Sequence, residues 1–392
     1  VLNEWISRPG LPMLIARVIG NRLTIDQRRF FNTGQHTVES WPVPVVARID
    51  GVERRMLLEE PHTEIELTTS APPFLNVDAS GFYRVLYDLH TLEQLRHEFP
   101  KLSPLDQWSV VHDLAPFVEA GDLDLGQYLA YLRLGESVTS FAVVSQFGRS
   151  GLNLYLQLYD HPDFLEGYRN FLRAQTQRLG LEALPGEPPT NGVLRESLLS
   201  QRVWVDPDLA RQLAARYDEY DRIAPELREA IATAYVRTGG AAAFETLLRR
   251  FRSAPSEGEK FRLLGALTAA PDPTWVERIL RMADQKELLL SLVPTAVVGA
   301  SRNVEARALA WTWLQRQVDS FAENFQGTGR TSELLEVVLP RLGLGREAEV
   351  RDFFRNRPVR EGSRGIAKGL ELLAAGVALR RRLGLDGRGR QA

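Results

Sequence analysis

The chain has 392 residues, of which 44% are hydrophobic and 25% are charged, and its formal net charge is −2. This composition is typical of a globular protein of two or three domains, and the near-zero charge argues against a nucleic-acid partner. The lack of cysteine excludes disulfides and thiolate chemistry and fits a cytoplasmic location, and no apolar run reaches the roughly 18 residues of a membrane span.

Short β-rich segments fill the chain up to residue 87. Asp50-Gly51 stands between two apolar runs and predicts a hairpin. Ile65 and Leu67 alternate with polar residues, as in a strand with one solvent-facing side. Together these segments predict a small β-sandwich. The predicted strands are 13–19, 22–25, 43–49, 56–58, 63–69 and 83–87.

From Thr91 onward the hydrophobic period is helical. Leu92, Leu95 and Phe99 share one face of the first helix. Many helices joined by short loops predict an α-α superhelix, a HEAT- or armadillo-like solenoid without a strict repeat length. Further helices are predicted near 104–120, 125–134, 139–159, 162–179, 189–201, 207–221, 224–237, 240–252, 256–269, 273–283, 286–298, 303–316, 330–342, 346–355 and 362–384.

The change of period predicts a multidomain β + α protein with a β-sandwich followed by a helical superhelix. The first residues read like the middle of a longer sequence, so we expect an N-terminal part to be missing. The predicted parts are 1–12, the end of a missing domain or a linker; 13–88, the β-sandwich; 89–385, the superhelix; and 386–392, a flexible tail.

No set of residues forms a complete active site in the sequence. His90 and His97 are seven residues apart on one predicted helix, and two polar surface residues are favoured over a metal site. The segment 326–330 precedes a helix, and a loop with glycine at positive φ is favoured over an anion cradle. The arginine-rich segments 346–364 and 380–390 face either solvent, the favoured interpretation, or an acidic ligand. We predict no catalytic, cofactor-binding or metal-binding residue, and substrate-binding residues stay unknown.

Seven stretches carry a recognisable pattern in order and spacing. They are Trp5–Pro12, Asp26–Phe30, Trp41–Pro44, Asn76–Tyr87, Glu259–Leu264, Ala308–Trp313 and Asp352–Phe354. The stretch 76–87 follows the pattern N-x-x-x-x-G-x-Y-R-V-x-Y. Together the stretches resemble the C-terminal region, a β-sandwich plus a helical superhelix, of the aminopeptidase N / puromycin-sensitive aminopeptidase family of zinc metallopeptidases.

The resemblance implies a non-catalytic part of a zinc-dependent aminopeptidase, which removes N-terminal residues from peptides. Relatives carry H-E-x-x-H, a downstream Glu ligand and G-x-M-E-N in a separate catalytic domain, and none of these motifs occurs here. No zinc ligand is therefore transferred to this chain, and zinc is expected in the catalytic domain that the chain lacks. The chain is predicted to be inactive alone, so whether it counts as an enzyme is open.

The resemblance also implies partners and a role. The helical part would form a bowl that encloses the active site and restricts peptide substrates. Its partners would be its own N-terminal catalytic domain, missing or on a separate chain, and the peptide substrate, with neither nucleic acid nor membrane. The alternative is a stand-alone α-solenoid scaffold for protein interactions, in which the β-sandwich serves as an adaptor.

Overall fold

The computed structural model describes Trp5 and residues 10–385. By its internal contacts the chain divides into two compact units, residues 1–154 and 155–392. The predicted flexible tail at 386–392 and most of the predicted segment 1–12 lie outside the described residues. The predicted domain limits 13–88 and 89–385 stay predictions.

The first unit begins with seven strands in two sheets. One sheet has the order β5-β2-β1-β7 and the other β4-β3-β6. All neighbouring strands are antiparallel except β1 and β7, which pair in parallel from Met13 opposite Arg84 to Ala16 opposite Tyr87. The strands are β1 Pro12–Ile19, β2 Arg22–Arg29, β3 Val43–Ile49, β4 Val52–Leu58, β5 His62–Glu66, β6 Phe74–Leu75 and β7 Arg84–Tyr87.

The turn at Asp50-Gly51 joins β3 to β4 as predicted. Both residues have positive φ, 54° and 76°, which a two-residue hairpin turn requires. Asp50 Oδ1 also accepts hydrogen bonds from the backbone N–H groups of Thr68 and Thr69, each at 3.0 Å. These bonds hold residues 68 and 69 at the turn, and β5 ends at Glu66 rather than at the predicted residue 69.

The stretch 76–87 is held by its own polar side chains. The Asn76 side chain accepts from Gly81 N at 2.7 Å and donates to Gly81 O at 3.2 Å, which closes a loop in front of β7. The Tyr87 hydroxyl accepts from Leu75 N at 2.8 Å. The pattern that pointed to the family therefore consists, at these positions, of residues that shape the backbone.

Sixteen α-helices follow within the described residues. They confirm the predicted fold class, a small two-sheet β region followed by an α-helical superhelix. The helices are α1 Leu89–Glu98, α2 Pro104–Ala120, α3 Leu125–Leu134, α4 Phe141–Leu158, α5 Pro162–Leu179, α6 Pro189–Val205, α7 Pro207–Ala214, α8 Pro225–Thr238, α9 Gly240–Ser253, α10 Glu257–Leu267, α11 Pro273–Asp284, α12 Val293–Arg302, α13 Arg307–Asn324, α14 Arg330–Leu342, α15 Glu347–Asn356 and α16 Ser363–Arg382.

The helices of the second unit pack in two layers. Helices α6, α8, α10, α12, α14 and α16 form one layer, in which each helix packs against the next, and we call it layer A. Helices α7, α9, α11, α13 and α15 each pack against helices of layer A and make up the second layer. The tightest contact in layer A is between α14 and α16, where a Cβ on Gly365 would lie 1.9 Å from Ser332 O. Glycine is required there because only a bare Cα permits that approach.

Two predicted helices have different limits in the structure. The helix predicted at 286–298 begins only at Val293, because Lys286 has φ 58° and Pro294 occupies the first turn of α12. The helix predicted at 207–221 ends at Ala214, and a 3₁₀ turn at Tyr217–Glu219 follows. Local turns override a helical period in both places. Within the described residues, no helix is long and apolar enough to cross a membrane.

Candidate functional site

The residues weighed as sites from the sequence do not come together. His90 and His97 are exposed on α1, and His97 Nε2 lies 3.2 Å from Glu93 Oε1. Gly327 and Gly329 have positive φ, so the favoured interpretation of the loop at 326–330 is confirmed. In the segment 346–364, Arg351 and Arg355 each pair with a carboxylate on their own helix. The structure therefore directs attention to other residues.

The part of the chain that the structure describes contains no group of side chains that could bind a metal ion. No three His, Asp or Glu side chains there lie close enough together to hold a metal ion. The residues present do not fit the zinc that the family resemblance implies. No reaction step through zinc is therefore assigned to the described residues.

Layer A carries a groove of about 480 Å³ across four neighbouring helices, α6, α8, α10 and α12. Gly299 brings α12 close to the end of α10, since a Cβ there would lie 2.1 Å from Thr268 Oγ1. Apolar, acidic and basic side chains all line the groove. They include Trp204 and Glu196 from α6, Glu229 and Thr233 from α8, Phe261 and Arg262 from α10, and Val298 and Arg302 from α12.

The acidic side of the groove is formed by Glu196 and Glu229. Burial raises the pKa of Glu229 above its ordinary value, and the neighbouring Glu196 carboxylate raises it further. Arg302 and Arg262 act in the opposite direction on the same carboxyl group. Arg262 is itself paired with Glu259, so Arg302 is the cation of the groove that has no carboxylate partner in the described part of the chain.

An arginine cluster adjoins the groove at Ser301. Ser301 and Arg302 end α12, Arg307 begins α13, and Arg341 lies in the last turn of α14. The Arg341 Nη1 group donates to Ser301 Oγ at 3.2 Å, and the Arg307 Nε group donates to Ser301 O at 3.1 Å. We call Arg302, Arg307 and Arg341 the arginine cluster.

Trp204 and Arg237 mark the neighbouring edge of the groove. The guanidinium carbon of Arg237 lies 4.3 Å from the centre of the Trp204 ring, and Arg237 Nη1 donates to Ala269 O at 3.2 Å. Burial lowers the pKa of Arg237. The cation–π contact fixes the indole at the groove, where it offers a flat apolar surface.

This arrangement suits binding better than bond breaking. A groove with apolar side chains, acidic residues on α6 and α8, and basic residues on α10 and α12 can hold an extended polar chain. The sequence did not indicate the groove residues, because they are spread from 196 to 302 and each looks like an ordinary surface residue of a helix. What these residues share is their position near the same face of successive layer-A helices. A sequence without a strict repeat does not reveal that shared position.

Comparison with known proteins identifies the family. The sequence model of the family described as "ERAP1-like C-terminal domain" matches residues 74–375, more than three quarters of the chain. The chain belongs to this family. The match confirms the resemblance to the C-terminal region of aminopeptidase N-like proteins.

Several relatives match almost the whole chain. "Probable aminopeptidase 2" of Sulfurisphaera tokodaii is 28% identical over 95% of this chain and 46% of its own length. "Leucyl aminopeptidase" of Saccharolobus solfataricus is 27% identical over 96% and 47%. "Tricorn protease-interacting factor F2" of Thermoplasma acidophilum is 27% identical over 95% and 46%. The chain spans about half the length of the curated relatives that it matches.

Proposed function

We propose that this chain is the non-catalytic C-terminal part of a zinc-dependent aminopeptidase and that its helical unit binds the peptide substrate. The observation that carries the proposal is the extent of the matches, since about 95% of the chain corresponds to less than half of each of these relatives, two of which are named as aminopeptidases. Zinc and the residues that activate water belong, in this proposal, to a catalytic domain elsewhere in the protein or on a partner chain. The protein acts in the cytoplasm.

In this proposal, the helical unit contributes to the reaction by binding the peptide in the groove. A peptide lying along layer A contacts Trp204 and Phe261 with apolar side chains, while Arg302 and the two glutamates contact its polar groups. These residues select substrates by length and charge and take no part in bond breaking. In the same proposal the superhelix forms a bowl over the catalytic domain and restricts access to peptides.

Enzyme assays and metal content test the catalytic half of the proposal. The purified 392-residue chain is assayed on a panel of aminoacyl-4-nitroanilides, and zinc is determined on the same sample. We expect no turnover and no stoichiometric zinc. Chelator-sensitive turnover with bound zinc would contradict the proposal.

Peptide binding tests the other half. Trp204 lines the groove, so titration with unstructured decapeptides should change the intrinsic fluorescence. Phe261, 37% exposed in the groove, is replaced by alanine, and Phe141, 40% exposed outside it, serves as the matched control. We expect Phe261→Ala to weaken binding about tenfold and Phe141→Ala to leave it unchanged. Equal loss in both variants, or no binding of any peptide, would favour the interaction scaffold instead.

A further inference from the structure

Two carboxylates of the groove lack the partners that other glutamates of the second unit have. Glu187, for example, has its Oε2 atom 2.7 Å from Arg195 Nη2. Glu196 and Glu229 both line the groove, and among the described residues neither carboxylate has an ion pair or a hydrogen bond. The groove therefore contains two carboxylates that the fold itself does not use.

These two carboxylates come from neighbouring helices and share one cavity. Glu196 lies on α6 and Glu229 on α8, and the two helices pack against each other in layer A. Both side chains line the same groove of about 480 Å³, a volume within the range of small-ligand pockets. A ligand that fills this cavity therefore meets both carboxylates.

A buried hydroxyl group adds a further acceptor to the acidic wall. Thr233 follows Glu229 by one helical turn, so both side chains leave α8 on the same side. Thr233 lines the groove and is only 4% exposed, and its hydroxyl has no hydrogen-bond partner among the described residues. Native proteins usually satisfy such a buried polar side chain with water or a ligand.

The charges along the groove leave the acidic wall net negative. The basic residues of the groove are Arg262 and Arg302, and Arg262 is paired with Glu259. Burial raises the pKa of Glu229 and the Glu196 carboxylate raises it further, with Arg302 and Arg262 opposing them. The groove thus disfavours a second negative charge, and a positive charge bound beside the two glutamates would remove this penalty.

The groove also suits the long aliphatic part of a basic side chain. Phe261 and Val298 line it, and apolar side chains of this kind cover methylene groups while the charged end reaches a polar wall. One guanidinium group is already held at its edge, because the Arg237 guanidinium carbon lies 4.3 Å from the centre of the Trp204 ring. The surroundings therefore favour an organic cation over a bare ion.

We propose that Glu196, Glu229 and Thr233 form a subsite for a lysine or arginine side chain of a peptide that lies in the groove. The two carboxylates accept charge-assisted hydrogen bonds from the ammonium or guanidinium group, and the Thr233 hydroxyl accepts a further one. This inference rests on the proposed function, since it requires that the groove binds peptides. It adds a preference for substrates with an internal basic residue.

Calorimetric titration of the full chain at low ionic strength tests the subsite. The probes are two decapeptides, N-acetylated and C-terminally amidated, that differ only in one central residue. One peptide carries arginine, and the other carries citrulline, which has nearly the same shape but no charge. We expect the arginine peptide to bind about tenfold more tightly, because only its side chain forms charge-assisted hydrogen bonds.

Four variants locate the subsite. Glu196→Gln and Glu229→Gln keep the size of the side chain and remove its charge, and each should reduce the preference for arginine to about threefold or less. Glu166→Gln removes an exposed carboxylate of α5 outside the groove and should leave the preference unchanged. Arg302→Gln removes the opposing cation and should tighten binding of the arginine peptide about twofold to threefold.

The outcomes separate the subsite from the proposed function. A preference for arginine that falls in Glu196→Gln and Glu229→Gln but not in Glu166→Gln supports the subsite. Equal binding of the two peptides would leave the groove as a peptide site and show that the subsite does not exist. A preference that persists in both groove variants, or falls equally in Glu166→Gln, would also overturn it. If neither peptide binds, the proposed function fails and the subsite fails with it.

Discussion

Two sets of charged residues, the buried carboxylates Asp106 and Asp113 of the first unit and the arginine cluster of the second, are arranged in opposite ways. In the first unit the Asp113 carboxylate accepts from Arg84 Nη1 and from Val85 N, both at 2.8 Å. Asp106 accepts from Arg48 Nη2 at 3.1 Å and from Asp78 N at 2.8 Å. In the second unit the arginine cluster brings three positive charges together without a carboxylate within ion-pair distance among the described residues.

The difference separates charges that build the fold from charges that are left unpaired. Each oxygen of Asp106 and Asp113 has a donor, so these carboxylates join helix α2 to residues 48, 78, 84 and 85 and are committed to the fold. The arginine cluster keeps its positive charges unpaired, because none of its guanidinium groups has a carboxylate within ion-pair distance among the described residues. A substitution should therefore lower stability in the first case but not in the second.

The largest expected effect is the loss of folding stability when a buried carboxylate of the first unit is removed. Asp113→Ala removes the partner of Arg84 and of Val85 N, and it should lower the free energy of unfolding by about 3–5 kcal/mol. Denaturant unfolding followed by hydrogen exchange of residues 10–154 measures the loss. Asp124→Ala, at an exposed helix start where the side chain makes no capping bond, should stay within about 0.5 kcal/mol. Similar losses in both variants would mean that Asp113 is an ordinary surface charge.

A smaller effect of opposite sign is expected in the arginine cluster. Arg341→Gln relieves repulsion from Arg302 and Arg307, although it also weakens the bond to Ser301. We expect the free energy of unfolding to stay the same or to rise by on the order of 1 kcal/mol. Chemical denaturation measures it. A loss above about 1 kcal/mol would show that Arg341, like Asp113, holds the fold together.

The smallest effect concerns the pH dependence of stability at Glu229. Its raised pKa means that the folded chain keeps this proton at a higher pH than the unfolded chain does. The stability gained from the protonated form is complete below the ordinary value of 4.5 and is lost as pH rises through the folded pKa.

Glu229→Gln should therefore match the unmodified protein near pH 4 and exceed its stability at pH 7 by about a few tenths of a kcal/mol. Thermal unfolding from pH 4 to pH 8 measures the difference. The exposed Glu166→Gln variant should follow the unmodified protein throughout. If Glu229→Gln follows the unmodified protein too, the groove does not disfavour the charge on Glu229.

Periodicity predicted much of the fold, because local rules govern it. The predicted starts of α2 and α5, at residues 104 and 162, are those observed, and a proline stands at the first helical position of each. The strand Phe74–Leu75 was missed because two residues are too few to show alternation. The start of α12 was predicted too early because the leucines at 288–292 continue a helical pattern, although Leu290–Leu292 form a 3₁₀ turn instead.

The residues of the candidate site could not be predicted from the sequence, for a different reason. The arginines weighed from the sequence, at 346–364, form a dense run, whereas Arg302, Arg307 and Arg341 are separated by up to 39 residues. Only the packing of α14 beside α12 brings Arg341 to Ser301.

The parallel pairing of β1 with β7 has a consequence for the order of folding. Strand β1 pairs with β7, which lies some 70 residues later in the chain. The backbone of β7 is in turn held by Asp113 of helix α2, which follows later still. During synthesis the sheet therefore stays incomplete until helix α2 has emerged from the ribosome. We expect the amides of β1 and α2 to become protected in the same kinetic phase when refolding is followed by pulse-labelled hydrogen exchange.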